Sequence, residues 1–267
     1  MPPFIKERAN ILGVGISPID MGDLLAACEH WIERREPNYI CVTNTHLVMM
    51  CQKDEGLRRI HNQAGLCTPD GTPLYWLTWL MGHHSVRRVC GPEIMLACFE
   101  HGVSRGWKHF FCGAVPGVAE RLAQCMQERF PGLQVAGTWC PPFRPLTDEE
   151  DAQLIDIVQR SRPDFFWLAI GPSAMERFMA EHVNRMNVPV MAGVGAAFDF
   201  LSGNKPQAPK WIATIGLEWF FRMCTEPRRL FLRYLTNNPV FIYYVLRQAL
   251  GKRPPALEPV VSAREAM

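Results

Sequence analysis

Phe165-Phe166-Trp167-Leu168-Ala169-Ile170 is an apolar run without a polar break. A strand with one wet face alternates apolar and polar residues. A strand covered on both faces has no need to, so this run reads as a central strand of a parallel sheet. Downstream, Ser173–Asn184 reads as a helix and Val188–Ala192 as the next strand. Upstream, Lys108–Cys112, Pro116–Phe130, Gln134–Thr138 and Thr147–Ser161 repeat the strand–helix unit, with Pro116 suited to the first helical position. Such alternation implies right-handed βαβ units. The expected fold is therefore α/β: a Rossmann-like, mainly parallel sheet with helices on both faces.

The N-terminal part extends the pattern. Asn10–Ile16 is a short apolar run, and Ser17 or Asp20 starts a helix to about Glu33. Tyr39–Thr43 is a strand and Leu47–Ile60 a helix. Gly65-Leu66-Cys67 then leads into Thr68-Pro69-Asp70-Gly71-Thr72, where Pro69 presets its backbone, Gly71 permits a conformation other residues resist, and Thr72 can cap a helix. In that helix, Pro73–Met81, Trp76 and Trp79 are expected to form a packing face.

With 267 residues, 48% hydrophobic and 20% charged, the composition is globular. Residues 1–204 are expected to form the core, 205–253 a helical C-terminal appendage, and 254–267 a flexible tail. A net charge of +2 argues against a chain-wide nucleic-acid footprint. From Lys205 to Arg253, nine Lys or Arg and two acids give +7, against −5 for the rest. The appendage is also rich in Trp, Phe and Leu, with Asn237-Asn238-Pro239 expected to break it. Two readings stand: helices packed on the core, or an interfacial unit on an anionic membrane surface. The ten cysteines include no C-x-x-C pair, which fits buried, reduced thiols better than a zinc ribbon or a disulfide scaffold. Met1–Lys6 lacks the apolar core of a signal peptide, and no apolar run is long enough to span a bilayer, so the chain is expected to stay inside the cell.

Three glycine-bearing loops follow strands. They are Gly113-Ala114-Val115-Pro116-Gly117, Gly171-Pro172-Ser173 and Gly193-Val194-Gly195-Ala196-Ala197-Phe198-Asp199. Loops of this kind offer bare N–H groups to a phosphate at the carboxyl edge of a sheet. Asp70 sits on a turn of the same kind, and either closes an Asx-turn or carries chemistry. The last glycine loop resembles half a dinucleotide fingerprint, but Phe198 stands where a third Gly or Ala belongs. The acid run Asp148–Asp151 reads as a helix start, His83-His84 as a loop pair, and no Gly-x-Ser-x-Gly elbow is present.

In combination these residues resemble the WecG/TagA/CpsF family of bacterial glycosyltransferases. The likeness is carried by Asn44, His46, Pro69-Asp70-Gly71, Arg88-Val89 with Gly91, and Phe110–Gly113 with Pro116–Glu120. Further along, Pro131-Gly132-Leu133, Pro141-Pro142-Phe143, Gly193–Ala196 with Phe198-Asp199, Gly216-Leu217-Glu218-Trp219 and Glu226–Leu230 continue it. The resemblance implies a metal-independent, inverting transferase with no cofactor. It would move a sugar from a UDP-sugar to a polyprenyl-diphosphate-linked sugar, at the inner face of the bacterial plasma membrane, in exopolysaccharide or cell-wall glycopolymer synthesis. It implies Asp70 as base with Thr43 assisting, and Arg222, Arg228 and Arg229 on the diphosphate and the membrane. Asn44, His46, Arg88, Gly113, Gly117, Gly171, Glu176, Gly193, Gly195 and Asp199 complete the expected substrate site. One departure bears on the donor sugar. Where the family often reads Gly-x-Pro-Lys-Gln-Glu, this chain has Gly171-Pro172-Ser173-Ala174-Met175-Glu176. The rival readings are an NAD-dependent oxidoreductase on the Gly193 loop and a non-catalytic membrane adaptor on the basic C-terminus.

Overall fold

The computed structural model describes residues 7–209, 212 and 218–257, apart from the side chains at 218, 222, 229, 232 and 233. The N-terminal apolar run does not stay extended as one strand. It folds back as β1 (Ala9–Ile11) and β2 (Val14–Ile16), an antiparallel hairpin. Leu12 and Gly13 both have positive φ at its tip, 54° and 85°, as a two-residue turn of this hand requires. Asp20, not Ser17, then caps α1 (Met21–Arg34) in a capping box with Asp23.

After β3 (Asn38–Thr43), the single helix expected over 47–60 is two, α2 (Thr45–Cys51) and α3 (Glu55–Gln63). The break is made by Asp54, whose carboxylate accepts the Leu57 N–H at 3.0 Å and starts a new helix. Next come β4 (Leu66–Pro69), α4 (Thr72–Leu80), α5 (Gly91–Val103), β5 (Lys108–Gly113), α6 (Val118–Arg129) and β6 (Gln134–Trp139). The core closes with α7 (Asp148–Ser161), β7 (Phe165–Ala169), α8 (Ala174–Met186), β8 (Val190–Gly193) and α9 (Ala197–Leu201). Pro116 does not open α6. Gly117, at φ 88°, caps that helix and leaves Pro116 in the turn before it.

The strands from β3 to β8 form one six-stranded sheet in the order β4-β3-β8-β7-β5-β6, every pairing parallel. The Phe165 run is interior to it, and the period of two divides that strand between two cores. Phe165, Trp167 and Ala169 join the helices α1, α5, α6 and α9 on one face. Phe166 and Leu168 join those of α2, α3, α4, α7 and α8 on the other. Seven of the ten cysteines are buried and none is in a disulfide. The edge strand β4 is anchored from outside: the Ser17 N–H donates to the Cys67 carbonyl at 2.8 Å, and the Cys67 N–H to Ser17 Oγ at 3.0 Å. The half-buried Arg8 guanidinium donates to the carbonyls of Asn62, Ala64 and Gly65, fixing the chain as it enters β4.

Two expectations about helices are corrected. Trp76 and Trp79 on α4 are exposed; Leu74 and Thr78 make the buried side instead. At the C-terminus, helix Glu218–Thr225 is followed by helix Pro227–Ala249, which runs straight through Pro239. Proline deletes one helical N–H, but Leu235, whose carbonyl loses that donor, and Pro239 itself lie on the exposed side where water can serve. This helix packs against α2, with Phe241 buried in the second core. Its Gln248 bonds to the hairpin through Leu12 N–H and Asn10 C=O, at 2.9 and 2.7 Å. Among the described residues no helix is long and apolar enough to cross a membrane.

Candidate active site

Parallel strands end together, so the residues that follow them gather on one edge. In sheet order, the carboxyl ends are Pro69, Thr43, Gly193, Ala169, Gly113 and Trp139. At about 4.8 Å per strand, Asp70 is roughly 10 Å from the Gly193 loop and roughly 19 Å from Gly113. The candidate residues therefore fall into two groups that a single phosphate cannot touch together, whereas an extended ligand can.

The first group surrounds Asp70. Its N–H donates to the Thr43 carbonyl at 2.8 Å, which locks the turn to the end of β3. Gly71 has extended backbone, φ −154°, that any residue can adopt, and it is itself the cap position before Thr72. Both expectations for that pair are thus corrected: Gly71 is not required by its conformation, and Thr72 opens the helix without capping it. Thr43 is fully buried, with its hydroxyl on the Cys41 carbonyl at 3.2 Å and on Cys67 Sγ at 2.9 Å. Its hydroxyl is thus turned toward β4. Asn44 caps α2 by accepting the Leu47 N–H at 3.2 Å, and His46 lies in the first turn of that helix.

The segment after α4 crosses this edge, and its role as a bridge was not read from the sequence. The Val89 N–H donates to the Pro69 carbonyl at 3.2 Å, which brings Arg88 beside the Asp70 turn, where it also reaches Glu93 at 3.3 Å. Two residues on, a Cβ at Gly91 would lie 3.1 Å from the Val194 carbonyl. The start of α5 thus spans from β4 to the β8 loop, with no side chain capping its first N–H groups. Gly91-Pro92 ahead of the buried Ile94, Met95, Cys98 and Phe99 was the available signal for a helix start here.

The glycine loops differ among themselves. Gly113 has φ 120°, and a Cβ there would overlap the Ala169 carbonyl, which accepts the Ala114 N–H at 2.6 Å. Gly193 is covered by Met175 and Met179, and Gly195 (φ 52°) lies against Met175. These three glycines answer to packing or to local conformation. Added Cβ atoms at Gly117 and Gly171 would meet nothing within 4 Å, so those two positions open outward, although the left-handed backbone of Gly117 (φ 88°) still favours glycine. The loop before α8 holds the residues that depart from the family pattern. Ser173 has φ 64°, which is closed to proline, and Met175 in place of the polar residue fills the space over Gly193.

Glu176, in the first turn of α8, is 1% exposed, and its Oε2 has no hydrogen-bond partner among the described residues. Burial pushes its pKa up, against the opposing pull of its own N–H and that of Ser173. The thiols of Cys41 and Cys67 are likewise held up by burial, with the neighbouring Glu176 carboxylate adding to the rise. They have no thiolate character to offer.

Asp199 is engaged with Asn204 Nδ2 at 2.7 Å and Lys205 Nζ at 3.1 Å, and Lys205 reaches on to Glu226 at 3.3 Å. That chain of charges ties the C-terminal helices to the β8 loop and brings the exposed Arg228 near α9. The side chains of Arg222 and Arg229 lie outside the described residues. Among the described residues no cluster of three or more His, Cys, Asp or Glu is arranged to hold a metal ion.

A parallel α/β sheet whose carboxyl edge carries an acid, a helix N-terminus and open glycine loops has its candidate site where open α/β sheets bind their ligands. The model of the glycosyl transferase WecG/TagA/CpsF family matches residues 9–255. The chain belongs to that family and is a glycosyltransferase. Its relatives include the N-acetylglucosaminyldiphosphoundecaprenol N-acetyl-beta-D-mannosaminyltransferases of Staphylococcus aureus strains MRSA252 and NCTC 8325 / PS 47. Each is 24% identical over 250 residues, covering 91% of this chain and 96% of the relative.

Proposed function

We propose that this chain transfers a hexosyl group from a UDP-sugar to a polyprenyl-diphosphate-linked sugar with inversion and without a metal ion, and that Asp70 is the general base. The observation that supports this reading is the lock between the Asp70 N–H and the Thr43 carbonyl, which fixes the turn bearing this carboxylate at the carboxyl edge of the sheet, next to the segment that leads through Arg88 into α5. An acceptor hydroxyl must shed its proton as it attacks the anomeric carbon, and a carboxylate within hydrogen-bond reach can take it. The departing UDP carries negative charge, which Arg88, the first N–H groups of α5 and Arg228 are suited to stabilise. In this scheme Thr43 is a positioning residue that sets the height of the Asp70 turn. The open edges at Gly117 and Gly171 leave room for the nucleotide.

The names of the relatives support a lipid-linked acceptor. The exposed Tyr243 and Leu246 on the C-terminal helix, with Leu250 just past its end, support association with the inner membrane surface through its basic, aromatic-rich end. The test is a panel of UDP-sugars (N-acetylmannosamine, its uronic acid and glucose) with a synthetic prenyl-diphosphate sugar, read by product mass and anomeric configuration. One donor should give a product of inverted configuration with chelator present. A product of retained configuration, or saturable binding of NADH but not UDP, would overturn the proposal.

A further inference from the structure

The stripe expected to pack inward is the one the fold leaves bare. Trp76 is 58% exposed and Leu80 70%, with Trp79 and Met81 exposed beside them. Pro73, Trp76 and Leu80 recur at helical spacing along one side of α4, while Leu74 and Thr78 on the other side are fully buried. Two tryptophans and a leucine presented together mark a contact surface rather than ordinary surface scatter.

Charge identifies what the stripe contacts. No acid occurs between Asp70 and Glu93, a stretch that holds His83, His84, Arg87 and Arg88. Arg87 donates to the carbonyls of His84 and Val86, at 3.2 and 2.8 Å, and forms no ion pair among the described residues. Its charge is therefore not neutralised by an ion pair among the described residues, although its main chain is bonded to Ile19, the residue before Asp20. The Trp79 ring meets His84 edge-on at 4.8 Å, so apolar and basic parts form one surface. An anionic bilayer offers both complements at once, hydrocarbon for Trp and Leu and phosphate for Arg, and tryptophan favours that boundary.

We propose that α4 lies in the headgroup–acyl boundary of an anionic phospholipid bilayer, with Trp76, Trp79 and Leu80 inserted and Arg87 on the phosphates. This deepens the reading above, on which it rests for a lipid-linked acceptor, and adds a contact separate from the C-terminal helices. The stripe begins three residues after Asp70, so a helix lying in that plane holds the base at the level where a lipid diphosphate leaves the membrane.

The experiment uses the full chain. A Trp76→Ser/Trp79→Ser/Leu80→Gln variant and an Arg87→Gln variant are sedimented with phosphatidylglycerol or phosphatidylcholine vesicles. In parallel, transfer is measured to a short-prenyl acceptor soluble without vesicles. The triple variant should lose about tenfold in binding to phosphatidylglycerol vesicles, with unfolding temperature and transfer to the soluble acceptor unchanged. Arg87→Gln should weaken binding to phosphatidylglycerol but not to phosphatidylcholine. Unchanged vesicle binding by the triple variant would overturn the proposal, and so would a change of oligomeric state without loss of vesicle binding, which assigns the stripe to a second copy. Failure of the transferase reading looks different: the unaltered chain would bind vesicles yet transfer nothing to the soluble acceptor.

Discussion

The two ends of the carboxyl edge are built on different principles. Around β4 and β3, side chains with chemistry sit on a turn fixed by main-chain bonds: Asp70 held from Thr43, and Val89 held from Pro69. Around β7 and β5 the strand ends carry glycines, and the main chain itself is the surface. The first end can exchange a functional group with little disturbance, because the turn does not depend on the side chain. The second cannot at every position, since Gly113 is where two strands approach too closely for a Cβ.

Asp70→Asn tests the first end and should give the largest effect. Transfer should fall by roughly two to four orders of magnitude, the range for loss of a general base, while the unfolding temperature and UDP affinity stay put. Turnover close to that of the unaltered enzyme would move the base elsewhere and break the contrast. Gly113→Ala should do the opposite, with the damage falling on the fold. A φ of 120° and an overlap with the Ala169 carbonyl together cost roughly 3 kcal/mol or more. In a chain of this size that lowers the unfolding temperature by roughly 10 °C, measurable by scanning calorimetry.

Much of this edge is legible in the sequence. Continuous apolar runs and strand–helix alternation reveal a parallel sheet because they reflect burial on both faces, a local property. The position of the Asp70 turn, between an apolar run and a helix-like stretch, is legible as well, but the parts expected of Gly71 and Thr72 within it are not the ones they play. What stayed hidden depends on contacts remote in sequence. Nothing in Trp76 or Trp79 says which side of α4 meets the core, since both sides of that helix are apolar and only Leu74 and Thr78 are covered. The bridge from Pro69 to Val194 through Arg88 and Gly91 joins segments far apart in the chain. The hairpin at Leu12 was missed because a leucine in the left-handed region has no local signature. Glycine itself was misleading, for the residues do not distinguish Gly113, closed by packing, from Gly171, open to solvent.

Gly171→Ala sharpens that last distinction. With nothing within 4 Å of the added methyl, the unfolding temperature should be unchanged. If the nucleotide runs past this loop, UDP affinity should drop several-fold, up to about tenfold, equivalent to roughly 1.4 kcal/mol. Unchanged affinity would leave the ligand on the Asp70 side of the edge alone.

Glu176 lies between the two ends and gives the smallest effect, one that appears only as pH is varied. Its carboxyl is buried, and burial raises its pKa above the ordinary 4.5. The folded chain therefore holds this proton more tightly than the unfolded chain does. The stability it contributes is fully present below pH 4.5 and is lost as pH rises through the raised value. Glutamine has a similar shape and cannot ionise, so Glu176→Gln should escape that loss. Unfolding temperatures of the two proteins should nearly coincide at the acid end and separate toward pH 8, with the variant the more stable. A separation that does not change with pH would mean that the carboxylate has a compensating partner in the folded protein. Repeating the series with UDP-sugar bound then asks whether that partner is the substrate: a sugar hydroxyl donating to Oε2 would favour the ionised form and close the gap that burial opens.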